Sequence, residues 1–296
     1  MDHTIKNEAL TVTVSGRGAQ LLSVLGADGT QYLWQGDPKY WSNRALTIFP
    51  FVARLTGGSY SLDGRSYRLP IHGLAPYCDF AAAENNGVRL VLELQSDAGT
   101  LEQYPREFTF RVVYELSGGT LAVAYEVVNR DTRPMIFGLG GHPGFNVPLT
   151  RGLRFEDYRL RFPAPCRPTR VGFTPDCFVS GEDAPWPLKD GRFIPLSHSL
   201  FDEDAVVLRD MCREVTLESP LDGHSVTVAF PQMPYLGLWH MPKTDAPYVC
   251  IEPWLSLPAN AGEATVFEDR PDLARLAPGE TYRNEWSIAV KQRKDP

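Results

Sequence analysis

The chain has 296 residues, 43% of them hydrophobic and 22% charged, with a formal net charge of −7. That content can bury a sizeable core, and an acidic balance with no basic stripe argues against a nucleic-acid partner. The apolar runs are too short to span a bilayer, and the first eight residues lack the apolar segment of a secretory signal. The five cysteines (Cys78, Cys166, Cys177, Cys212, Cys250) are scattered, odd in number and without C-x-x-C spacing. Neither a zinc site nor a disulfide framework is indicated, so a cytoplasmic protein with no metal or cofactor is expected.

In chain order, Asp28-Gly29 opens a series of hairpin dipeptides that continues at Asp63-Gly64, Asn86-Gly87, Gly118-Gly119, Asp190-Gly191 and Asp222-Gly223. Each suits a tight turn with positive φ. Short helical turns are expected near Asp37–Tyr40 and around Leu101–Gln103. Between the turns, period-two alternation dominates. Val88, Leu90, Leu92 and Leu94 share one face, as do Phe108, Phe110, Val112, Tyr114 and Leu116, then Leu121, Val123, Tyr125 and Val127, and later Val226, Val228 and Phe230. Such alternation marks half-buried antiparallel strands. A proline-rich passage from Phe162 to Pro195 reads as an excursion on the same body, because strand signals resume on both sides. The last strand covers Glu285–Val290, and the charged tail Lys291–Pro296 is expected to fray. The reading is all-β: one domain over residues 1–296, built as a large antiparallel β-sandwich.

Five pieces could carry chemistry. Phe49-Pro50-Phe51-Val52-Ala53-Arg54 sets Arg54 in an apolar run before Gly57-Gly58, where a guanidinium can fork onto hydroxyls or a carboxylate. Ile71-His72-Gly73 places His72 between a strand and a loop. Gly138-Leu139-Gly140-Gly141-His142-Pro143-Gly144-Phe145 follows a strand-like run, Pro134–Phe137. Its glycines and proline suggest a tight loop at a strand end, holding an imidazole that can exchange protons near neutral pH. Asp202-Glu203-Asp204 precedes the apolar run Ala205–Leu208, and such a charge run is usually a solvated turn. Cys250-Ile251-Glu252-Pro253-Trp254 flanks a carboxylate with apolar neighbours, and desolvation would make Glu252 a stronger base. Trp34, Trp41, Phe145, Trp239 and Trp254 are either core or flat faces for a sugar ring. There is no nucleophile elbow, phosphate loop or dinucleotide fingerprint. A histidine acid, a desolvated carboxylate and an arginine suit proton transfer on a polyhydroxylated neutral molecule.

In this order, F-P-F-V-A-R-L-T-G-G-S-Y, I-H-G-L-A-P, G-G-H-P-G-F-N-V-P and C-I-E-P-W resemble the aldose 1-epimerase (mutarotase) family, in its less-characterised bacterial branch. The resemblance runs from about Leu10 to the last strand and implies a large antiparallel sandwich. It implies Glu252 as general base and His142 as general acid, with His72, Arg54 and, more loosely, Asp204 binding the sugar. The context of His142 differs from that in the galactose-acting branch, so no sugar preference carries over. Three rivals stay open: a hexose-6-phosphate 1-epimerase, which needs a cationic pocket; a sugar-binding protein without catalysis; and a metal-dependent enzyme using His72 and His142, though H-x-H clusters are absent. The expected partner is a small sugar, with the chain a monomer or homodimer.

Overall fold

A computed structural model describes residues 1–292. Of the tail expected to fray, Lys291 closes the last strand, and residues 293–296 lie outside the described residues. Two large antiparallel sheets dominate. The first runs, edge to edge, Ala81–Asn85, Arg89–Gln95, Phe108–Ser117, Thr120–Asn129, Thr281–Lys291, Ser225–Ala229, Glu214–Glu218, Arg159–Arg161 and Phe193–Pro195. The second runs Ala45–Ile48, Gly140–Asn146, Tyr248–Trp254, Tyr235–Trp239, Val206–Arg209, Thr169–Arg170 and Ala184–Pro185. Among the described residues no helix is long and apolar enough to cross a membrane.

Alternation builds the nine-stranded sheet as expected. Leu121, Val123, Tyr125 and Val127 turn inward, while Ala122, Ala124 and Glu126 remain partly exposed. The inward faces of the two sheets meet in a continuous apolar core. Phe49 stacks on Phe110 at 4.6 Å between ring centres. The Tyr125 hydroxyl donates to the carbonyl of Gly140 at 3.1 Å, tying a strand of the first sheet to one of the second. Burial of such side chains supplies about 25 cal/mol per Å² of apolar surface removed from water, which is the main force holding the layers together.

The proline-rich passage is an excursion on the sandwich, as expected, and extends both sheets to an edge: Phe193–Pro195 is an edge strand of one, and Thr169–Arg170 followed by the edge strand Ala184–Pro185 extends the other. Prolines at edges cost no ladder bond. The helix at Ala98–Gln103 forms, capped by Asp97, whose carboxylate accepts from the Thr100 N–H at 2.8 Å. At Asp37–Tyr40 there is only a hydrogen-bonded turn. The hairpin dipeptides show positive φ at Gly29, Gly64, Gly87, Gly118 and Gly191. Gly223 does not share it. There the turn falls earlier, and the buried carboxylate of Asp222 is held by Thr150, Tyr158 and His224.

The largest departure concerns the glycine-rich stretch around His142. It is not a loop at a strand end. Gly140–Asn146 is an interior strand between Ala45–Ile48 and Tyr248–Trp254, and all but Asn146 are buried. Glycine content misled here, because these glycines serve close packing. A Cβ on Gly141 would stand 2.7 Å from the Trp286 ring of the opposite sheet.

Candidate active site

The site begins with a register. Gly140 pairs with Trp254, and Gly144 with Cys250, so His142 stands across from Glu252 on the two adjoining strands. Directly opposed side chains on antiparallel strands lie about 5 Å apart at Cβ, close enough for an acid and a base to meet. Between those anchor pairs the ladder lapses. Pro143 and Pro253 lie in that gap, and neither has an N–H to donate. On its other side Glu252 faces Gly237, where a Cβ would come within 3.0 Å of the Trp254 ring and 3.3 Å of the Glu252 Cβ. The absent side chain leaves the carboxylate room beside Trp254.

Nε2 of His142 lies 3.3 Å from Oε2 of Glu252. The atoms are near enough to exchange a proton but not aligned as a hydrogen bond, and Glu252 Oε2 and His142 Nδ1 are buried without a partner. Glu252 is 1% exposed and His142 7%. Burial drives the Glu252 carboxyl well above its ordinary range; the Trp254 indole opposes the rise and the Asp204 charge adds to it. Burial also drives the His142 imidazole well below its ordinary range, with His72 contributing. Desolvation therefore favours the neutral form of both groups, with the pair's one proton on Glu252. Any attraction between the carboxylate and an imidazolium is outweighed here by burial.

Trp41 stacks on the His142 ring at 4.7 Å and 25°. Trp239 meets the same ring edge-on at 5.8 Å, and His72 at 5.1 Å. His72 is 8% exposed, has φ of 65°, and its Nδ1 has no partner. Burial, then the nearby Arg54 charge, pushes its pKa down to about 4, so it is neutral at physiological pH. Gly73 lets this segment pass close to Phe49: its φ is +76°, and a Cβ would come within 2.2 Å of the Phe49 carbonyl oxygen. Arg54 is exposed on the cleft wall. Asp204, at φ of 78°, accepts from the Cys177 thiol at 3.0 Å and from the Ala205 N–H at 2.9 Å.

The structure brings Arg54, His72, His142, Asp204 and Glu252 to one cleft of about 320 Å³. Asp204 does not sit in a solvated turn pointing away; the strand it precedes, Val206–Arg209, lies two strands from Glu252 in the same sheet. Of the aromatic candidates, Trp41, Trp239 and Trp254 line the cleft. Trp34 and Phe145 belong to the core. Residues the sequence reading missed include Cys177 and Phe173, both from the proline-rich excursion, and Asn43. No local signal marks them, because the fold alone returns that excursion to the cleft. A neutral acid–base pair under an aromatic wall, ringed by Arg54, Asp204 and His72, can shuttle protons on a hydroxylated ring.

A sequence model of the family described as aldose 1-epimerase matches residues 1–289. Protein LacX, chromosomal form, of Lactococcus lactis subsp. lactis is 32% identical, over 97% of this chain and 98% of the relative. Two solved structures are similar throughout. A galactose mutarotase related enzyme from Lactobacillus acidophilus superposes with a TM-score of 0.95 at 31% identity, covering 100% of this chain and 99% of that one. A galactose mutarotase-like protein from Lactobacillus casei gives 0.91 at 32%, covering 98% and 100%.

Proposed function

The chain belongs to the aldose 1-epimerase family, and on that premise we propose that it interconverts the α and β anomers of a neutral aldose by reversible ring opening. The observation that carries this reading is the His142–Glu252 pair, 3.3 Å apart on opposed strands at the floor of the cleft. An acid and a base so close serve two atoms that are themselves close. The anomeric hydroxyl and the ring oxygen of an aldose meet that condition, since both are bonded to the first carbon.

The reaction follows from one shared proton. The pair in its neutral form has the same proton count as a Glu252 carboxylate beside a His142 imidazolium. Sugar hydroxyls, Arg54 and the face of Trp41 favour the charged form when the substrate enters. A cation against an indole gains about 0.5 to 2 kcal/mol. Glu252 then takes the proton of the anomeric hydroxyl while His142 gives its proton to the ring oxygen. The C–O ring bond breaks and the open-chain aldehyde forms. Rotation about the bond between the first and second carbons presents the other carbonyl face. The ring recloses with the roles reversed, His142 taking the proton back and Glu252 returning one. His72, neutral, and Asp204 orient hydroxyls of the ring.

The sugar phosphate reading has less support. Arg54 is the one lysine or arginine among the described residues lining the cleft, and Glu203 and Asp204 share that wall. A phosphate dianion meets more negative than positive charge there. The five cysteines are free in the structure, which suits a reducing cytoplasm.

The test is anomer exchange followed by NMR on glucose, galactose and a hexose 6-phosphate, with wild type beside Glu252→Gln. Acceleration on a neutral sugar that disappears in the variant is the expected result. Tight sugar binding with no acceleration would assign the cleft to a non-catalytic sugar-binding protein instead.

A further inference from the structure

Cys250 has no part in the proposed reaction, yet it lies beside it. On Tyr248–Trp254, Cys250 and Glu252 are two residues apart and so share a face. Cys250 is fully buried, and its thiol, a nitrogen of His142 and a carboxylate oxygen of Glu252 all lie within 4.8 Å of one another. Glu252 Oε2 and, nearby, His72 Nδ1 are buried and without partners. Buried polar atoms are normally satisfied, so a cluster of orphaned ones marks a place where something can be bound.

We propose that His142, Cys250 and Glu252 form a binding site for a thiophilic divalent cation of the zinc type, which competes with the sugar for the floor of the cleft. The donor set decides the class of ion. One sulfur, one imidazole nitrogen and one carboxylate oxygen suit Zn²⁺, Co²⁺ or Cd²⁺, whereas Mg²⁺ and Ca²⁺ require oxygen donors. The spacing also fits. Donors sharing a tetrahedral zinc ion, with bonds of about 2.0 to 2.3 Å, lie about 3.5 Å from one another. The His142–Glu252 pair is already at 3.3 Å. The donors lie within 4.8 Å of one another, so drawing the Cys250 sulfur in takes a movement of at most about 1.3 Å. The fourth position opens toward the cleft, where water or the His72 ring can fill it. Entry of the ion releases the thiol proton and the proton held by the His142–Glu252 pair.

The ion-binding part of this inference stands apart from the proposed reaction; only the competition with sugar rests on it. The experiment is therefore spectroscopic first. The full chain, freed of metal with a chelator, is titrated with Co²⁺, which reports a bound thiolate by a near-ultraviolet sulfur-to-cobalt band and tetrahedral geometry by its visible bands. The expected result is a single site whose thiolate band is lost in both Cys250→Ala and Cys250→Ser. Cys177→Ser, which removes the cysteine on the cleft wall, and Cys166→Ser/Cys212→Ser are the controls and should keep the band. A band that survives both Cys250 variants, or that vanishes in either control, would overturn the assignment, as would no band in the wild type. Anomer exchange is then measured with and without Zn²⁺, each variant serving as its own reference. Inhibition should be competitive with aldose, and in a folded Cys250 variant half-inhibition should need at least about tenfold more Zn²⁺. Equal sensitivity of wild type and variants would remove Cys250 from the site.

Discussion

The two large sheets use their central strands differently. In the nine-stranded sheet, Phe108–Ser117 and Thr120–Asn129 pair without a break, from Asn129↔Phe108 to Thr120↔Ser117. Alternation is regular from Thr120 to Val127, and neither strand contains a proline. In the seven-stranded sheet, Gly140–Asn146 and Tyr248–Trp254 are buried more completely, but their ladder lapses where Pro143 and Pro253 sit. The cleft beside that gap holds buried, unpartnered atoms of His72, His142, Glu252 and Trp254. Each such atom costs about 1 to 3 kcal/mol relative to a satisfied one. Phe108–Ser117 and Thr120–Asn129 carry no such atom, although Asn284 and Trp286 of the neighbouring Thr281–Lys291 do, whereas Gly140–Asn146 and Tyr248–Trp254 carry a local cost at the site itself. Function and stability should separate when each is mutated.

The largest expected effect is on the costly side. Glu252→Gln removes the base and should lower the rate of anomer exchange about 10²- to 10⁴-fold. The same substitution removes a buried ionisable group, so thermal stability should be unchanged or higher. A variant that unfolds would make Glu252 part of the framework and erase the contrast between the sheets. On the other side, Leu121 is fully buried on Thr120–Asn129. Leu121→Ala should cost about 2 to 5 kcal/mol of stability, read from chemical denaturation, while the folded fraction keeps its wild-type rate. A rate loss as large as the stability loss would show that the two layers do not act separately.

The next effect is a pH dependence of stability that belongs to the cleft. Burial depresses the folded pKa of His72 to about 4, below the ordinary value of 6.5. Above pH 6.5 the ring is neutral in both folded and unfolded chains. As pH falls from 6.5 toward 4, the unfolded chain takes up a proton that folded His72 refuses, so stability is lost across that window. The full penalty is about 3 kcal/mol for this one group. Thermal melting at pH 7.5 and 4.5 should show the loss, and His72→Asn should make it smaller. If the variant melts with the same pH dependence, His72 is solvated more freely than its surroundings indicate.

The sandwich was legible in the sequence because half-buried strands write their pleat as a period of two. The unbroken pair Phe108–Ser117 and Thr120–Asn129 is the clearest case. The strand holding His142 was not, because a strand buried on both faces shows no alternation, and Gly140, Gly141, Pro143 and Gly144 look like turn residues. Their actual cause is contact with residues distant in sequence, Trp286 and Trp254 among them. Arg54, His72, His142 and Glu252 could be named from motifs. Their convergence with Asp204, Cys177 and Phe173 depends on how seven strands are ordered, which no local window contains. The resting position of the proton was not legible for a related reason: pairing is visible as two residue types, whereas the depth of burial that overrides it belongs to the fold.

The smallest effect tests how the costly side is made to work. Burial disfavours the imidazolium that the reaction needs, and Trp41, stacked on His142 at 4.7 Å, opposes burial with the negative face of its indole. A gain of about 0.5 to 2 kcal/mol corresponds to roughly a twofold to thirtyfold greater share of the charged pair. Trp41→Leu should therefore lower the rate by that factor, with Trp41→Phe in between. The acid limb of the pH profile, where His142 takes a proton while Glu252 already holds one, lies below pH 6.5 in wild type, because burial depresses the imidazole. Losing the indole depresses it further, so the limb should move to lower pH in Trp41→Leu. A residue that merely filled space would alter the rate and leave the limb in place. A shift toward higher pH would mean that Trp41 desolvates His142 more than it stabilises its charge, and the cation would then owe its existence to the sugar and to Arg54.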